Sequence, residues 1–434
     1  MKRESLSIIL MLFLTSLFAQ QKEAYNFNKP YQLACTPIKS QDQTGTCWSF
    51  STASFLESEA LRMGKGEHDL SEMFVVRNIY HQKCENYVRR QGHAQFGEGG
   101  LAHDLLNAVK RYGIMPESAY PGRKDASKPL NHQKLVKSLE AACNDFVKQA
   151  GEGKLSDKWM TKIDSMLDAE FGVVPTQFTY NNTLFTPISF KEFLGIDPDD
   201  YVSITSFSHH PFYESFILEV PDNFANGSFY NVPLGDMMRT LSNSIQHGYT
   251  VEWDADVSNN GFSAQNGIAI VPERDWKDKD VAAQNNTFKV WEREKNVTQE
   301  YRQQLFDRQV TTDDHLMHIV GVLNEGHGGD YYVVKNSWGE ISDLKGFVYV
   351  SDPYMRQNTI SFTVHKNALP KDIRQRIGLA PEGNPFRTPA EAKEKRASES
   401  TTPASQSGTT KPKLDRNAVH KMRDEKKSGS SSDQ

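Results

Sequence analysis

The sequence predicts an α+β fold in which a buried helix and a set of strands contribute to one site. In residues 47–61, Ala53, Leu56 and Ala60 recur at helical spacing without proline or glycine, which is typical of a buried helix. Far downstream, residues 331–334 are aromatic or β-branched, as expected of a strand. A long stretch of mixed helical and extended character separates the two.

Cys47 is a candidate nucleophile because it stands at the predicted start of this helix. The positive end of the helix dipole and the unpaired backbone N–H groups there lower the pKa of a thiol and favour the thiolate. Gln41 lies six residues earlier in a turn-rich loop. Its side-chain amide and the Cys47 backbone N–H are therefore candidate donors to one oxyanion hole, where losing a donor costs roughly a hundredfold to a thousandfold in rate.

Two downstream histidines, His315 and His318, are candidates for the catalytic base. Histidines three apart on a strand face opposite sides, so only one of them can meet the sulfur. Asn336 follows the next predicted strand, where its side-chain oxygen is placed to accept the second imidazole N–H and fix the tautomer, while Trp338 shields that bond from water. Together these residues indicate thiol catalysis.

The order of residues before and after Cys47 resembles the papain superfamily of cysteine peptidases, with a glutamine six positions before the cysteine and a tryptophan after it. That family has another cysteine three residues before the nucleophile, where this chain has Thr44. Its Cys-Asn-Gly-Gly segment is replaced here by Gly-Glu-Gly-Gly at 97–100. Both of these family cysteines are absent together, and the segment 337–340 reads Ser-Trp-Gly-Glu. In these two features the chain resembles the bleomycin hydrolase and aminopeptidase C group.

The resemblance implies a papain-like fold with two lobes, one helical and one β-barrel-like, and a large insertion. It selects His315 as the base, because the family's catalytic histidine stands six positions before a glycine, here Gly321. It also implies that extended substrates pair with exposed backbone at a glycine pair. The implied site residues are, for catalysis, Cys47, His315, Asn336 and Gln41, and, for substrate binding, Gly99, Gly100 and Trp338.

The spacing of the motifs predicts where the insertion lies. His315 and Asn336 follow Cys47 by about 270 and 290 residues, whereas the papain-type histidine and asparagine follow by about 130 to 150. The family-like segment 97–121 is still collinear, which places the insertion at about 122–245 of a peptidase domain spanning 20–385. Within and just after it we expect helices at 135–147, 159–167 and 233–248, and extended segments at 173–180, 201–207 and 249–257.

Other polar groups and the overall charge point to no further class of ligand. Asp254 and Asp256 are expected at a turn or a solvated edge, and His209 and His210 lack a pattern that completes a metal shell. No metal or organic cofactor is expected. The net charge of −5 gives no basic excess, so nucleic acid is not an expected partner.

Both ends of the chain differ in composition from the domain between them. Residues 1–19 combine two basic residues, a short apolar run and a final small residue, which predicts a signal peptide, export to a periplasm or medium, and no membrane span after its removal. Residues 386–434 predict a disordered, low-complexity tail. If Cys47 stays free, at most one disulfide forms among the remaining cysteines, and the pair is left open: Cys35, Cys84 and Cys143.

The expected function is hydrolysis of peptide substrates through an acyl-thioenzyme. The resemblance implies an aminopeptidase that assembles as a homo-oligomer, a hexamer in the family, whose C-terminal arm blocks the groove and offers its carboxylate to the substrate amine. The tail at 386–434 departs from that pattern, so an endopeptidase with an open groove is the alternative. A catalytically silent peptide-binding relative is a further alternative, although the four catalytic residues are all retained. A transglutaminase-like acyl transferase usually has Asp where this chain has Asn336.

Overall fold

The helix predicted at Cys47 packs against the longest strand of a mixed sheet. The computed structural model describes residues 24–379, and all of these belong to one structural unit, Met1–Pro381. The expected signal peptide at 1–19 and the expected tail at 386–434 lie outside the described residues. Among the described helices, none is long and apolar enough to cross a membrane.

Helices dominate the first half of the described chain. The first of them, α1, is buried along almost its whole length, with Trp48, Phe55 and Leu56 fully enclosed. Ser71 caps the second by accepting the Phe74 backbone N–H, which satisfies a donor that the first helical turn leaves free. The α-helices are α1 (Cys47–Arg62), α2 (Glu72–Arg89), α3 (Ala102–Tyr112), α4 (Gln133–Gly151), α5 (Trp159–Phe171), α6 (Pro187–Leu194), α7 (Leu234–Gln246), α8 (Val281–Asn286), α9 (Gln299–Asp307), α10 (Asp352–Asn358) and α11 (Lys371–Arg376).

The strands form one large sheet and one small hairpin. The strands are β1 (Tyr31–Gln32), β2 (Phe178–Tyr180), β3 (Thr183–Phe185), β4 (Tyr201–Thr205), β5 (Ser215–Ile217), β6 (Ser228–Asn231), β7 (Val251–Ala255), β8 (Phe262–Ser263), β9 (Ile268–Ala269), β10 (His315–Glu325), β11 (Gly329–Lys335), β12 (Phe347–Ser351) and β13 (Thr359–His365). The large sheet has the order β5-β6-β4-β13-β7-β10-β11-β12-β9-β8, with β1 also paired to β10, while β2 and β3 pair separately.

The central strand β10 places the site residues beside the N-terminal end of α1. It lies between β7 and β11, and both pairings are antiparallel. His315 is its first residue, and Leu316 lies opposite Asp254 of β7. Directly opposed residues share a face of the sheet. That face is the one covered by α1, because His318 Nδ1 and Ser54 Oγ of α1 are hydrogen-bonded at 2.9 Å.

The mixed α and β content expected from the sequence is confirmed. The three helices expected in and just after the insertion occur as α4, α5 and α7, and the strand expected at 249–257 occurs as β7. The extended character of 173–180 yields only the short strand β2. The path of described strands ends at β5 and β8 without closing on itself, so these strands form no closed barrel. The insertion limits at 122–245 stay a prediction.

Candidate active site

Cys47 lies at the buried start of α1, as the sequence predicts. Its side chain is 8% exposed, and the Thr46 carbonyl accepts the first hydrogen bonds of the helix from Ser49 and Phe50. The helix α1, which begins with Cys47, packs against β10. The nucleophile and the strand that begins with His315 are therefore adjacent.

His315 and Asn336 are joined in the manner that the sequence predicts. The distance from His315 Nε2 to Asn336 Oδ1 is 2.7 Å, and Oδ1 also accepts the Ser337 backbone N–H at 2.8 Å. Because this oxygen is the acceptor, Nε2 carries the proton and Nδ1 is left for the Cys47 proton. The Trp338 ring stacks on the imidazole with centroids 4.5 Å apart, which excludes water from the hydrogen bond.

Gln41 is fixed between the nucleophile loop and the Asn336 segment. Its Nε2 donates to the Thr44 carbonyl at 2.6 Å, and its Oε1 accepts from the Ser337 hydroxyl at 2.7 Å. One amide hydrogen then remains for an oxyanion. Ser337, which positions this amide, was not singled out from the sequence, where a serine between two motif residues gives no signal of its own.

The segment 97–100 lies beside Trp48, where the sequence places the substrate-binding glycines. The Trp48 indole N–H donates to the Glu98 carbonyl at 3.0 Å. A Cβ on Gly100 would lie 3.1 Å from that indole ring, so a side chain there would press against it. The buried Lys83 ammonium donates to the Gly97 carbonyl at 2.9 Å and also to the Gly99 carbonyl. The backbone of the glycine pair is thus held rigid.

Burial of Cys47 opposes the low thiol pKa that is expected from the helix start. Burial, with smaller contributions from the carboxylates of Asp313, Asp222 and Asp254, raises the pKa of Cys47 to about 12. The helix terminus is too weak to offset this loss of solvation. Burial also lowers the pKa of His315 to about 4. Burial therefore disfavours the charged form of both groups.

The acidic residues of β7 are the largest departure from the sequence interpretation. Asp254 and Asp256 were expected at a solvated edge, but both are fully buried, as is Glu252. In a strand these three share one face, which here is the face toward α1, since Ser51 Oγ donates to Glu252 Oε1 at 3.4 Å. The available sequence signal was the alternation of acidic and apolar residues in this strand. It could not show that both faces of the strand are buried, because that burial depends on the neighbouring strands.

His209 and His210 lie together with a residue that the sequence interpretation did not pair with them. Their Nε2 atoms are 3.2 and 2.8 Å from the two carboxylate oxygens of Glu219. Among the described residues this is the group of side chains that could hold a metal ion, with ligand atoms within 4.8 Å of one another. The expectation that the reaction needs no cofactor stays a prediction.

His318, the other candidate base, lies behind α1 and away from Cys47. Its Nδ1 pairs with Ser54, whose hydroxyl also accepts from Lys335 at 2.7 Å. Desolvation lowers the pKa of His318 well below its ordinary value. This histidine supports the packing of α1 on β10, and the geometry leaves His315 as the candidate base.

Comparison with known proteins agrees with the fold and the site. Residues 14–383 match the model of the peptidase C1-like family. Aminopeptidase G of Lactobacillus delbrueckii subsp. lactis is 24% identical over 392 residues, which cover 81% of this chain and 85% of that protein. Aminopeptidase C of Listeria monocytogenes is 23% identical over 389 residues, with 81% and 85% covered.

A solved structure shows the same fold. The crystal structure of PepW from Lactobacillus rhamnosis HN001 has a TM-score of 0.63 at 19% identity, with 84% of this chain and 86% of that chain covered. The family model spans most of the sequence, and its extent includes every predicted catalytic residue. The chain therefore belongs to the peptidase C1-like family, as the papain-type motifs at Cys47, His315 and Asn336 predict.

Proposed function

We propose that this protein is a cysteine aminopeptidase that removes residues from the free amino end of peptides. The observation that carries the proposal is the hydrogen bond from His315 to Asn336. The Trp338 ring stacks on the His315 imidazole, and this pair lies adjacent to the start of the Cys47 helix. The relatives named aminopeptidase C and aminopeptidase G support the choice of exopeptidase.

The reaction proceeds through a thioester. Cys47 Sγ attacks the substrate carbonyl while its proton passes to Nδ1 of His315. The Gln41 amide and the Cys47 backbone N–H donate to the oxyanion. The imidazolium then protonates the leaving amine. A water molecule, deprotonated by His315, hydrolyses the thioester and restores the free thiol.

Substrate backbone pairs with the glycine segment on the other side of the cleft. Gly100 is the proposed point of contact, while the carbonyl of Gly99 is already bonded to Lys83. We also propose a two-lobed arrangement, with α1 to α3 on one side of the site and β10 to β12 on the other. Export, removal of residues 1–19 and assembly into a hexamer remain parts of the proposal that rest on composition and resemblance.

The experiment is a comparison of cysteine variants on an unblocked substrate. Cys47→Ala is expected to abolish release of aminomethylcoumarin from its leucine amide, while the folded protein is retained by circular dichroism. Cys35→Ala is the matched control, because this thiol is half-buried outside the site, and it is expected to keep full activity. Turnover by the Cys47→Ala protein would refute the mechanism.

Two other activities make different predictions in the same assay. An endopeptidase with an open groove would cleave end-blocked peptides at least as fast as the leucine amide. A silent peptide-binding protein would cleave neither substrate in its wild-type form. Faster hydrolysis of the free-amine substrate, lost with Cys47, is the result that supports the proposal.

A further inference from the structure

The carboxylate of Glu98 lies against the loop that precedes the nucleophile. Its Oε2 accepts the Gly45 backbone N–H at 2.7 Å. A Cβ added to Gly45 would lie 3.1 Å from the Glu98 Cβ, so a larger residue there would press on this contact. Glu98 stands where the papain segment Cys-Asn-Gly-Gly has Asn. The contact therefore links the two stretches, at Thr44 and at 97–98, in which this chain departs from the papain pattern.

The backbone that carries the Glu98 side chain is held by buried donors. The Trp48 indole N–H donates to the Glu98 carbonyl at 3.0 Å. The carbonyls of the two flanking residues, Gly97 and Gly99, both accept from the Lys83 ammonium. Trp48 and Lys83 are themselves buried. Three consecutive carbonyl groups are thus fixed, so the Glu98 carboxylate is presented to Gly45 from a rigid support.

The Gly45 N–H and the Thr44 carbonyl belong to one peptide group. In a trans peptide group the N–H and the C=O point in opposite directions, so a carboxylate that binds the N–H directs the carbonyl to the other side. On that side the Thr44 carbonyl accepts the Gln41 side-chain amide at 2.6 Å. The Glu98 carboxylate, the 44–45 peptide group and the Gln41 amide therefore form one continuous line of hydrogen bonds.

This line of hydrogen bonds ends at the proposed oxyanion donor. Gln41 Oε1 accepts from the Ser337 hydroxyl at 2.7 Å, and the Gln41 backbone N–H donates to the Ser337 carbonyl at 2.9 Å. The oxygen of the amide is therefore fixed by Ser337, and one hydrogen of its nitrogen is fixed by the Thr44 carbonyl. The second hydrogen is the one left for an oxyanion. Its direction depends on the orientation of the 44–45 peptide group.

An ionised Glu98 carboxylate favours one of the two orientations of that peptide group. Glycine at position 45 gives the backbone more conformational freedom than any other residue would. A flipped peptide would turn the Thr44 carbonyl toward the carboxylate and the N–H toward the Gln41 amide, so acceptor would face acceptor and donor would face donor. Hydrogen bonds to an ionised acceptor are stronger than neutral ones and polarise their neighbours. Glu98 thus also makes the Thr44 carbonyl a better acceptor for Gln41.

We infer that Glu98 is a positioning residue of the oxyanion hole, which orients the 44–45 peptide group so that the Gln41 amide is directed at the substrate carbonyl. The inference rests on the proposed function. It holds equally for an aminopeptidase and for an endopeptidase, because both form the same oxyanion. The competing role is a direct one, in which the Glu98 carboxylate binds the amine of the substrate. The two roles predict different kinetics.

The kinetic test compares Glu98→Ala and Glu98→Gln with Glu85→Ala in the full-length chain. Glu85 is a half-buried glutamate of α2 whose side chain contacts only Arg89 among the described residues, so its variant is the matched control. With the leucine amide of aminomethylcoumarin, Glu98→Ala is expected to lower kcat by about tenfold to a hundredfold, since a misdirected donor costs less than a lost one. KM should change little, and the control should match the wild type.

The conservative variant and two thiol reagents separate oxyanion binding from a general structural role. Glu98→Gln keeps an oxygen that can accept the Gly45 N–H and should recover part of the lost kcat. Leucinal and acetyl-leucinal add to the Cys47 sulfur and place their oxygen in the oxyanion hole, whereas iodoacetamide alkylates the same sulfur by displacing iodide and forms no oxyanion. Glu98→Ala should weaken the tighter-binding aldehyde by about tenfold. The rate of Cys47 alkylation, followed by peptide mapping, should stay unchanged.

The outcomes distinguish this inference from the proposed function. An unchanged kcat and aldehyde affinity in Glu98→Ala overturns the inference alone, and so does an equal loss of alkylation rate, which would mean a disturbed nucleophile. A raised KM with unchanged kcat and unchanged binding of acetyl-leucinal would assign Glu98 to the substrate amine instead. Faster cleavage of end-blocked peptides than of the leucine amide, with the same loss in Glu98→Ala, overturns the aminopeptidase and supports the inference. A wild-type protein that cleaves no substrate and binds neither aldehyde overturns both.

Discussion

His315 Nε2 and Asn336 Oδ1 are 2.7 Å apart, and both side chains are almost fully buried. This contact joins the first residue of β10 to the residue that follows β11, so the antiparallel pairing of the two strands sets the orientation of the imidazole. It leaves Nδ1 as the nitrogen without a proton, which is the form that a base for the thiol requires.

Removal of the Asn336 side chain should reduce turnover more than binding. Asn336→Ala is expected to lower kcat roughly tenfold to a thousandfold, because the imidazole loses the group that fixes its tautomer. KM for the leucine amide should change little. Asn324→Ala is the control, since Asn324 is an exposed residue of β10 that contacts only Asp330 through its side chain among the described residues. Steady-state kinetics check this, and an unchanged kcat in Asn336→Ala would remove Asn336 from the mechanism.

Gly99 should tolerate no side chain, because the Asp222 carboxylate lies against it. Gly99→Ala would overlap that carboxylate and displace the segment beside Trp48 that is the proposed substrate contact, so we expect kcat/KM for the leucine amide to fall severalfold. Gly97→Ala introduces the same methyl group into open space and should leave kcat/KM unchanged. Steady-state kinetics of the two variants are the measurement. Equal effects of the two substitutions would show that the close approach at Gly99 has no bearing on catalysis.

Glu252 should make the folded protein less stable as the pH rises. Burial raises the pKa of Glu252 from 4.5 to about 8, so the folded state holds a proton that the unfolded state has lost. Stability from this group is full below pH 4.5 and is lost as the pH rises to about 8. At about 1.4 kcal/mol per pKa unit, the loss approaches about 5 kcal/mol.

The variant Glu252→Gln cannot ionise and should lack this dependence. Urea unfolding at the two ends of that pH range measures the effect, with Glu219→Gln as an exposed control. We expect Glu252→Gln to gain stability relative to the wild type at the alkaline end and not at the acidic end. An equal difference at both ends would mean that Glu252 is not the titrating group.

Cys84 and Cys143 should form a disulfide when the protein is held in an oxidising medium. Both are fully buried and unpaired in the structure, and they lie in one apolar cluster on α2 and α4, which pack against each other. A bridge here would close a long loop and stabilise the fold by about 2 to 4 kcal/mol. Peptide mapping of oxidised protein would detect it. A disulfide from Cys35 to either residue would contradict the geometry.

The elements that local patterns specify were predictable, and those that depend on distant neighbours were not. Helical spacing after Cys47 was enough to place α1, and motif order was enough to identify His315 and Asn336. Asp254 is buried because β10, which is far away in sequence, pairs with its strand. The burial that raises the pKa of Cys47 also depends on β10. The position of Asp222 over Gly99 depends on the packing of 218–224, which no periodicity indicates.

The most direct test of the account is labelling by a leucine chloromethyl ketone with a free amine, followed by peptide mapping. The account predicts one label per chain, on Cys47, with hydrolysis of the leucine amide lost in proportion to labelling, and no label in His315→Ala at the same exposure. Full hydrolysis by protein whose Cys47 is completely labelled would contradict it.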